Sequence, residues 1–144
     1  MSDLGKRAMR PTMTESVALD VVSRLLRALE RGAPGVEVAR FYADDAVVED
    51  MPNRFAPAGG SRDKAALTAA AERGRELFVQ QTYAVQHAIA EPDRVAIELR
   101  WSGTLRAALG DLAAGTVLRT RSVIVADVRD GRIVTQRCYD CFEA

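Results

Sequence analysis

The sequence predicts an α+β domain in which helices lead into a long antiparallel meander, so that a curved sheet wraps the helices and leaves a cavity between the two layers. Three observations carry that reading. Apolar residues recur at helical spacing in the first half, alternate at period two from about residue 78 onward, and each change of period coincides with turn residues. A chain of 144 residues with 48% hydrophobic composition can bury one core and is too short for two ordinary domains.

Each element follows in order. Thr12-x-x-Glu15 reads as a capping box, and Ala18, Val22, Leu25, Leu26 and Leu29 then recur on one helical face until Gly32 offers a stop. Residues 1–13 are expected to form a tail and residues 14–144 the domain. After a turn at residues 33–35, Val38, Phe41 and Tyr42 suit a shorter second helix, and Asp44–Asp45 starts the turn into a strand at residues 46–50. Residues 51–61 hold Pro52, Pro57 and the pair Gly59–Gly60, a loop by composition. Ser61 is placed to cap a third helix running to about Leu77, with Leu67, Ala70, Gly74 and Leu77 or Phe78 inward. Three helices are thus expected to pack on a mainly antiparallel sheet.

From Phe78 the pattern alternates, with Tyr83, Val85 and Ile89 on one face and a turn at residues 91–93. The next strand sets Val95, Ile97, Leu99 and Trp101 against Glu98, Arg100 and Ser102. Residues 103–114 make a looser connection, and strands at 116–128 and 132–142 are joined by the hairpin turn Arg129-Asp130-Gly131.

Composition narrows the partners. Twenty basic residues balance 20 acidic ones, with no block of like charge, which gives no reason to expect nucleic acid or an anionic membrane. A neutral small ligand or another subunit fits better. The polar start M-S-D-L-G-K-R lacks the apolar core of a signal peptide, and no later run approaches the ~20 apolar residues of a membrane span, so a cytoplasmic location is expected. Two cysteines supply no disulfide framework.

The element order, together with F-Y-A-D-D-A-V-V-E-D at residues 41–50, W-S-G-T at 101–104 and V-R-D-G-R-I-V-T-Q-R-C-Y-D at 128–140, resembles the SnoaL-like and ketosteroid-isomerase-like domains of the nuclear transport factor 2-like superfamily. The resemblance covers roughly residue 14 to the C-terminus. It implies a cone-shaped fold, a homodimer formed through the outer face of the sheet, and a mostly apolar cavity for a hydrophobic small molecule. It implies no cofactor, and activities ranging from isomerase, cyclase and hydrolase to binding alone.

Position by position, the known machineries of that superfamily are incomplete. A ketosteroid isomerase would place its base at Asp50, an oxyanion-holding tyrosine near Leu25 or Leu26, and an aspartic acid near Val123 or Ile124; only the base is present. Without those donors an enolate loses several kcal/mol of stabilisation, so steroid isomerisation by that route is not expected. An epoxide hydrolase of the limonene type would need Arg and Asp at Leu99 and Trp101, or at Arg100 and Ser102, and an Asp at Cys138. A SnoaL-type cyclase could draw on Asp50 with Asp140 or His87.

The candidate acid–base residues are therefore Asp50, Asp140 and His87. Asp50 is either a base in an apolar cavity or a surface acid paired with Arg54, whereas its neighbour Glu49 must face the other way. Asp140 shares a strand face with Cys138, Gln136 and Val134. His87, the only histidine, is expected on the face of Tyr83, Val85 and Ile89. Asn53, Arg54, Tyr83, Trp101, Cys138 and Gln136 are expected to border the ligand, with Trp101 and Tyr83 as an aromatic wall. Cys138 and Cys141 fall on opposite faces of one strand, which argues against a shared metal or a disulfide. Arg119 and Arg121 either bind a carboxylate or support a dimer. The expectation is cofactor-free proton transfer on a hydrophobic substrate; the alternative is a non-catalytic ligand-binding or subunit-interaction domain.

Overall fold

A computed structural model describes residues 16–144. Helix α1 (Val17–Glu30) is followed by α2 (Gly35–Ala39), β1 (Tyr42–Asp50), β2 (Gly60–Arg62), α3 (Lys64–Leu77), β3 (Phe78–Ala90), β4 (Arg94–Leu105), β5 (Val117–Arg129) and β6 (Arg132–Phe142). The strands form one six-stranded sheet in the order β2-β1-β6-β5-β4-β3. All neighbours are antiparallel except β1 and β6, so the sheet is mixed. That parallel pairing brings the acidic end of β1 beside the C-terminal strand, with Asp50 opposite Cys138.

Helix α1 is amphipathic, and its buried stripe of Ala18, Val21, Val22, Leu25, Leu26 and Ala28 lies on the sheet's inner face. There it meets Val48 of β1, Val95, Ile97 and Leu99 of β4, Ile124 and Ala126 of β5, and Ile133 of β6. Full burial of a side chain such as Leu25 or Ile97 is worth about 2 kcal/mol, so this stripe anchors the helix over the cavity. The N-cap is Ser16, whose hydroxyl accepts from the Leu19 amide and donates to the Glu91 carbonyl, tying the helix start to the β3–β4 turn. The expected capping box at Thr12 and Glu15 lies outside the described residues.

Several expectations change. The second helix is only five residues long, and Tyr42 already belongs to β1, with Asp44 and Asp45 inside the strand. The loop after β1 contains the short edge strand β2, which pairs with residues 48–50 of β1. This shifts the α3 cap from Ser61 to Asp63, whose carboxylate accepts from the Ala66 amide. Leu67 is the buried apolar residue of α3, and the helix approaches α2 closely: a Cβ at Gly35 would stand 2.5 Å from the Thr68 carbonyl. The β5–β6 hairpin turns on Asp130 and Gly131, both at positive φ, as a tight two-residue connection requires.

Two register shifts decide which side chains face the helices. On β3 the pairing skips Gln86, so His87 and Ile89 turn to the outer face opposite Glu98 and Ala96, while Tyr83 and Val85 remain inward opposite Trp101 and Leu99. On β6 the pairing skips Val134, so Ile133 takes the buried position and Val134 does not share the face of Gln136, Cys138 and Asp140. None of the described helices is long and apolar enough to cross a membrane.

Candidate functional site

A cavity of about 250 Å³ opens between the C-terminal half of α1 and the inner face of the sheet. Leu25, Leu26 and Leu29 of α1 form one wall, with Leu99 and Ile124 opposite. Tyr83, Trp101 and Phe142 supply aromatic surface, and the polar wall runs along β1, β2, β5 and β6 through Asp50, Arg62, Ser122, Gln136 and Asp140. Alternation on three adjacent strands creates this wall. Ser122 of β5 is opposite both Leu99 of β4 and Asp140 of β6, so an apolar row ends in a hydroxyl and a carboxylate.

The polar wall has three connected groups. Thr120 and Ser122 share a hydrogen bond of 2.7 Å, and the Ser122 hydroxyl donates to Asp140 Oδ1 at 2.7 Å. Near the end of β1, Arg62 Nη2 donates to Asp50 Oδ1 at 2.9 Å. Its Nε stands 2.7 Å from Oδ2, buried and with no N–H directed at an acceptor. The third group begins at Tyr42, whose hydroxyl donates to Gln136 Oε1 at 2.9 Å, while Gln136 Nε2 reaches the Cys138 sulfur at 3.2 Å. Burial pushes the Cys138 thiol up to about 11, and the charges of Asp50 and Asp140 act in the same direction. The Tyr42 hydroxyl is likewise raised above its ordinary range, chiefly by burial. Tyr83 is raised by burial first and by the charge of Asp140 second. All three groups therefore enter neutral chemistry as protonated side chains.

The aromatic side is held in place. Trp101 Nε1 donates to Gln81 Oε1 at 3.1 Å, and the Tyr83 hydroxyl reaches the same oxygen at 3.4 Å. Trp101 packs edge-on against Phe78 and Phe142, and Phe142 against Phe55. Gly103 makes room for the indole: a Cβ there would lie 2.5 Å from the Trp101 ring.

Of the nine residues expected to act as acid–base groups or to border the ligand, Asp50, Asp140, Tyr83, Trp101, Cys138 and Gln136 line this cavity. Three do not. His87 is exposed on the outer face because of the β3 bulge. Asn53 is consumed by its own turn, accepting from the Phe55 and Ala56 amides and donating to the Met51 carbonyl. Arg54 is exposed and lies over the Phe55 ring, so the partner of Asp50 is Arg62 instead. Arg62, Tyr42, Gln81, Ser122 and Phe142 were missed as cavity residues. Ser122 and Phe142 were accessible through strand alternation; Arg62 depends on β2, a three-residue edge strand that leaves almost no periodic signal.

Cys138 is buried and Cys141 exposed, and both are free. Among the described residues no group of three His, Cys, Asp or Glu side chains is arranged to hold a metal. A more open groove of about 410 Å³ lies between the ends of α1 and α3 and the start of β3. Several of its polar groups hold those elements together: Glu30 accepts from the Tyr83 amide, and Arg75 donates to the Gly32 carbonyl and to Glu72.

This arrangement of helices over a sheet-lined cavity agrees with the comparison with known proteins. A family model described as SnoaL-like domain matches residues 22–136. The chain belongs to the SnoaL-like domain family. Among solved structures it is similar to IdmH of Streptomyces antibioticus, a proposed polyketide cyclase, at 25% identity and a TM-score of 0.69, covering 84% of this chain and 89% of that one. A proposed polyketide cyclase of Xanthomonas campestris is 22% identical with a TM-score of 0.70, over 85% of this chain and 89% of its own. An NTF2-like protein of Anabaena variabilis is 15% identical with a TM-score of 0.67, over 90% and 89%. The last two similarities establish the fold. No curated protein sequence matches the chain.

Proposed function

We propose that this SnoaL-like domain binds a hydrophobic small molecule in the α1–sheet cavity and catalyses cofactor-free proton transfer on it, as an isomerase, cyclase or hydrolase. The observation that carries the reading is Asp140: a cavity carboxylate whose one hydrogen-bond partner among the described residues is the Ser122 hydroxyl, placed among aromatic and aliphatic walls. Such a group has lone pairs free to take a proton. Asp50 is engaged by Arg62, so the base role moves from Asp50 to Asp140, and Asp50 becomes the group that positions Arg62. The remaining N–H bonds of Arg62 supply a donor for a substrate oxygen that gains charge as the proton leaves, the task left open by Leu25, Leu26 and Ile124. Among the three reaction classes, the similarity to IdmH favours cyclisation.

A thermal-shift screen of hydrophobic ketones, polyketide fragments, lactones and epoxides tests the binding, with Asp140→Asn and Asp50→Asn assayed on any ligand that is turned over. Loss of turnover with retained binding in Asp140→Asn is the expected result. If Asp140→Asn turns substrate over like the parent, Asp140 is not the base; if ligands bind and the parent turns none of them over, the chain is a binding domain and the polar wall merely satisfies its own hydrogen bonds. The second proposal is a homodimer through the outer face of the sheet, where Val123 and Tyr139 are 36% and 40% exposed and paired across β5–β6. Arg100 and Arg121 stand directly opposite one another on that face, a like-charge pair that acidic residues of a second copy would relieve. Light scattering that returns a monomer mass refutes it.

A further inference from the structure

The geometry points to a charge filter in the cavity: Asp50 masks the Arg62 guanidinium and Asp140 leaves one negative charge uncompensated, so free carboxylates and phosphates are barred and a carbonyl substrate enters as its ketone, ester or lactone. The inference rests on the proposed ligand site and names what that site accepts. Its formally charged lining residues are Asp50, Arg62 and Asp140. The first two cancel at contact distance, through a 2.9 Å hydrogen bond and a 2.7 Å approach. Asp140 is met by a neutral hydroxyl, and the lining side chains contributed by β3, β4 and β5 are Gln81, Tyr83, Leu99, Trp101, Thr120, Ser122 and Ile124, none of them cationic.

Apolar walls screen that charge poorly, and after burial it is the second cause that raises the Tyr83 hydroxyl, which lines the same cavity. A ligand carboxylate would add a second uncompensated negative charge within about 250 Å³. A neutral carbonyl incurs no such repulsion and can still accept from Arg62. Proton transfer from a neutral substrate also keeps the total charge constant. The C–H bond breaks, its proton forms an O–H bond on Asp140, and the electron pair becomes an enolate whose oxygen faces the guanidinium.

Three probes of one size test this by titration calorimetry: 2-naphthylmethanol, 2-naphthoate and 2-naphthylmethylamine. In the parent protein the amine binds at least as tightly as the alcohol, and naphthoate binds at least about tenfold more weakly than the alcohol. Asp140→Asn closes the gap between alcohol and naphthoate. Asp50→Asn, which unmasks Arg62, closes it independently, and the double variant prefers naphthoate. Naphthoate binding the parent as tightly as the alcohol overturns the filter, as does an unchanged ratio in both single variants. If no probe binds any variant, the cavity is not the ligand site and the proposed function falls with the filter; alcohol binding without charge discrimination sinks the filter alone.

Discussion

Gly103→Ala converts the geometry of the aromatic wall into a measurement. Trp101 is the single tryptophan of the chain, and its indole lies over the Cα of Gly103 two residues along β4. A Cβ at position 103 would meet two indole carbons at 2.5 and 2.7 Å and a Phe78 carbon at 2.9 Å. Carbon contacts are comfortable at about 3.5–4.0 Å, so the indole must retreat by about 1 Å. Phe78 blocks one escape because it meets the same methyl, and the remaining movement breaks the 3.1 Å bond from Nε1 to Gln81. Overpacking of this kind costs about 1–3 kcal/mol and the hydrogen bond about 1 kcal/mol, which together predict a loss of about 2–4 kcal/mol and a melting temperature lower by roughly 5–15 °C. Urea unfolding followed by intrinsic fluorescence reads both consequences, the lower midpoint and a red-shifted folded emission as the indole moves toward solvent. A variant with the parent's midpoint and emission maximum would show that the indole does not rest on Gly103.

The other predictions concern single groups. Tyr42→Phe leaves Gln136 Oε1 buried without its donor and should cost about 1–2 kcal/mol in chemical denaturation, with little loss of volume. Asp63→Ala removes the α3 cap and should lower stability by about 1 kcal/mol. Stability should fall from pH 9 upward. Below that pH both states hold the Cys138 proton, whereas above 9.0 the unfolded chain releases it and the folded one keeps it to about 11, a slope approaching about 1.4 kcal/mol per pH unit that Cys138→Ala should reduce. Tyr42 and Tyr83, raised in the same direction, should steepen the fall above pH 10.0. A thiol reagent at pH 8 should modify the exposed Cys141 rapidly and the buried Cys138 only as fast as the domain opens; two equally fast thiols would contradict the burial of Cys138.

Legibility in the sequence followed the strength of local pattern. The α1 stripe, the alternation of Val95, Ile97, Leu99 and Trp101 in β4, and the Asp130-Gly131 turn are written at fixed spacing, and each appears where that spacing puts it. Tyr42 and the Asp44–Asp45 pair were misplaced because residues before a strand were read through helical and turn preferences, while pairing of Tyr42 with Ile133 of β6 starts β1 four residues earlier. His87 was assigned to the wrong face for a similar reason. A bulge inserts one residue without any change in composition, and one residue reverses every side chain that follows.

What the sequence by itself determined was the α+β class, the order of most elements, the family resemblance and an inward row on β6 containing Gln136, Cys138 and Asp140. These depend on periodicity and on residues near one another in the chain. Only the tertiary structure decided that Asp50 is engaged by Arg62 and that, among the described residues, Asp140 meets only a serine hydroxyl. Arg62 lies 12 residues beyond Asp50 and Ser122 lies 18 before Asp140. Whether a carboxylate faces a cation or a hydroxyl is set by strand register across the sheet, which no local spacing encodes.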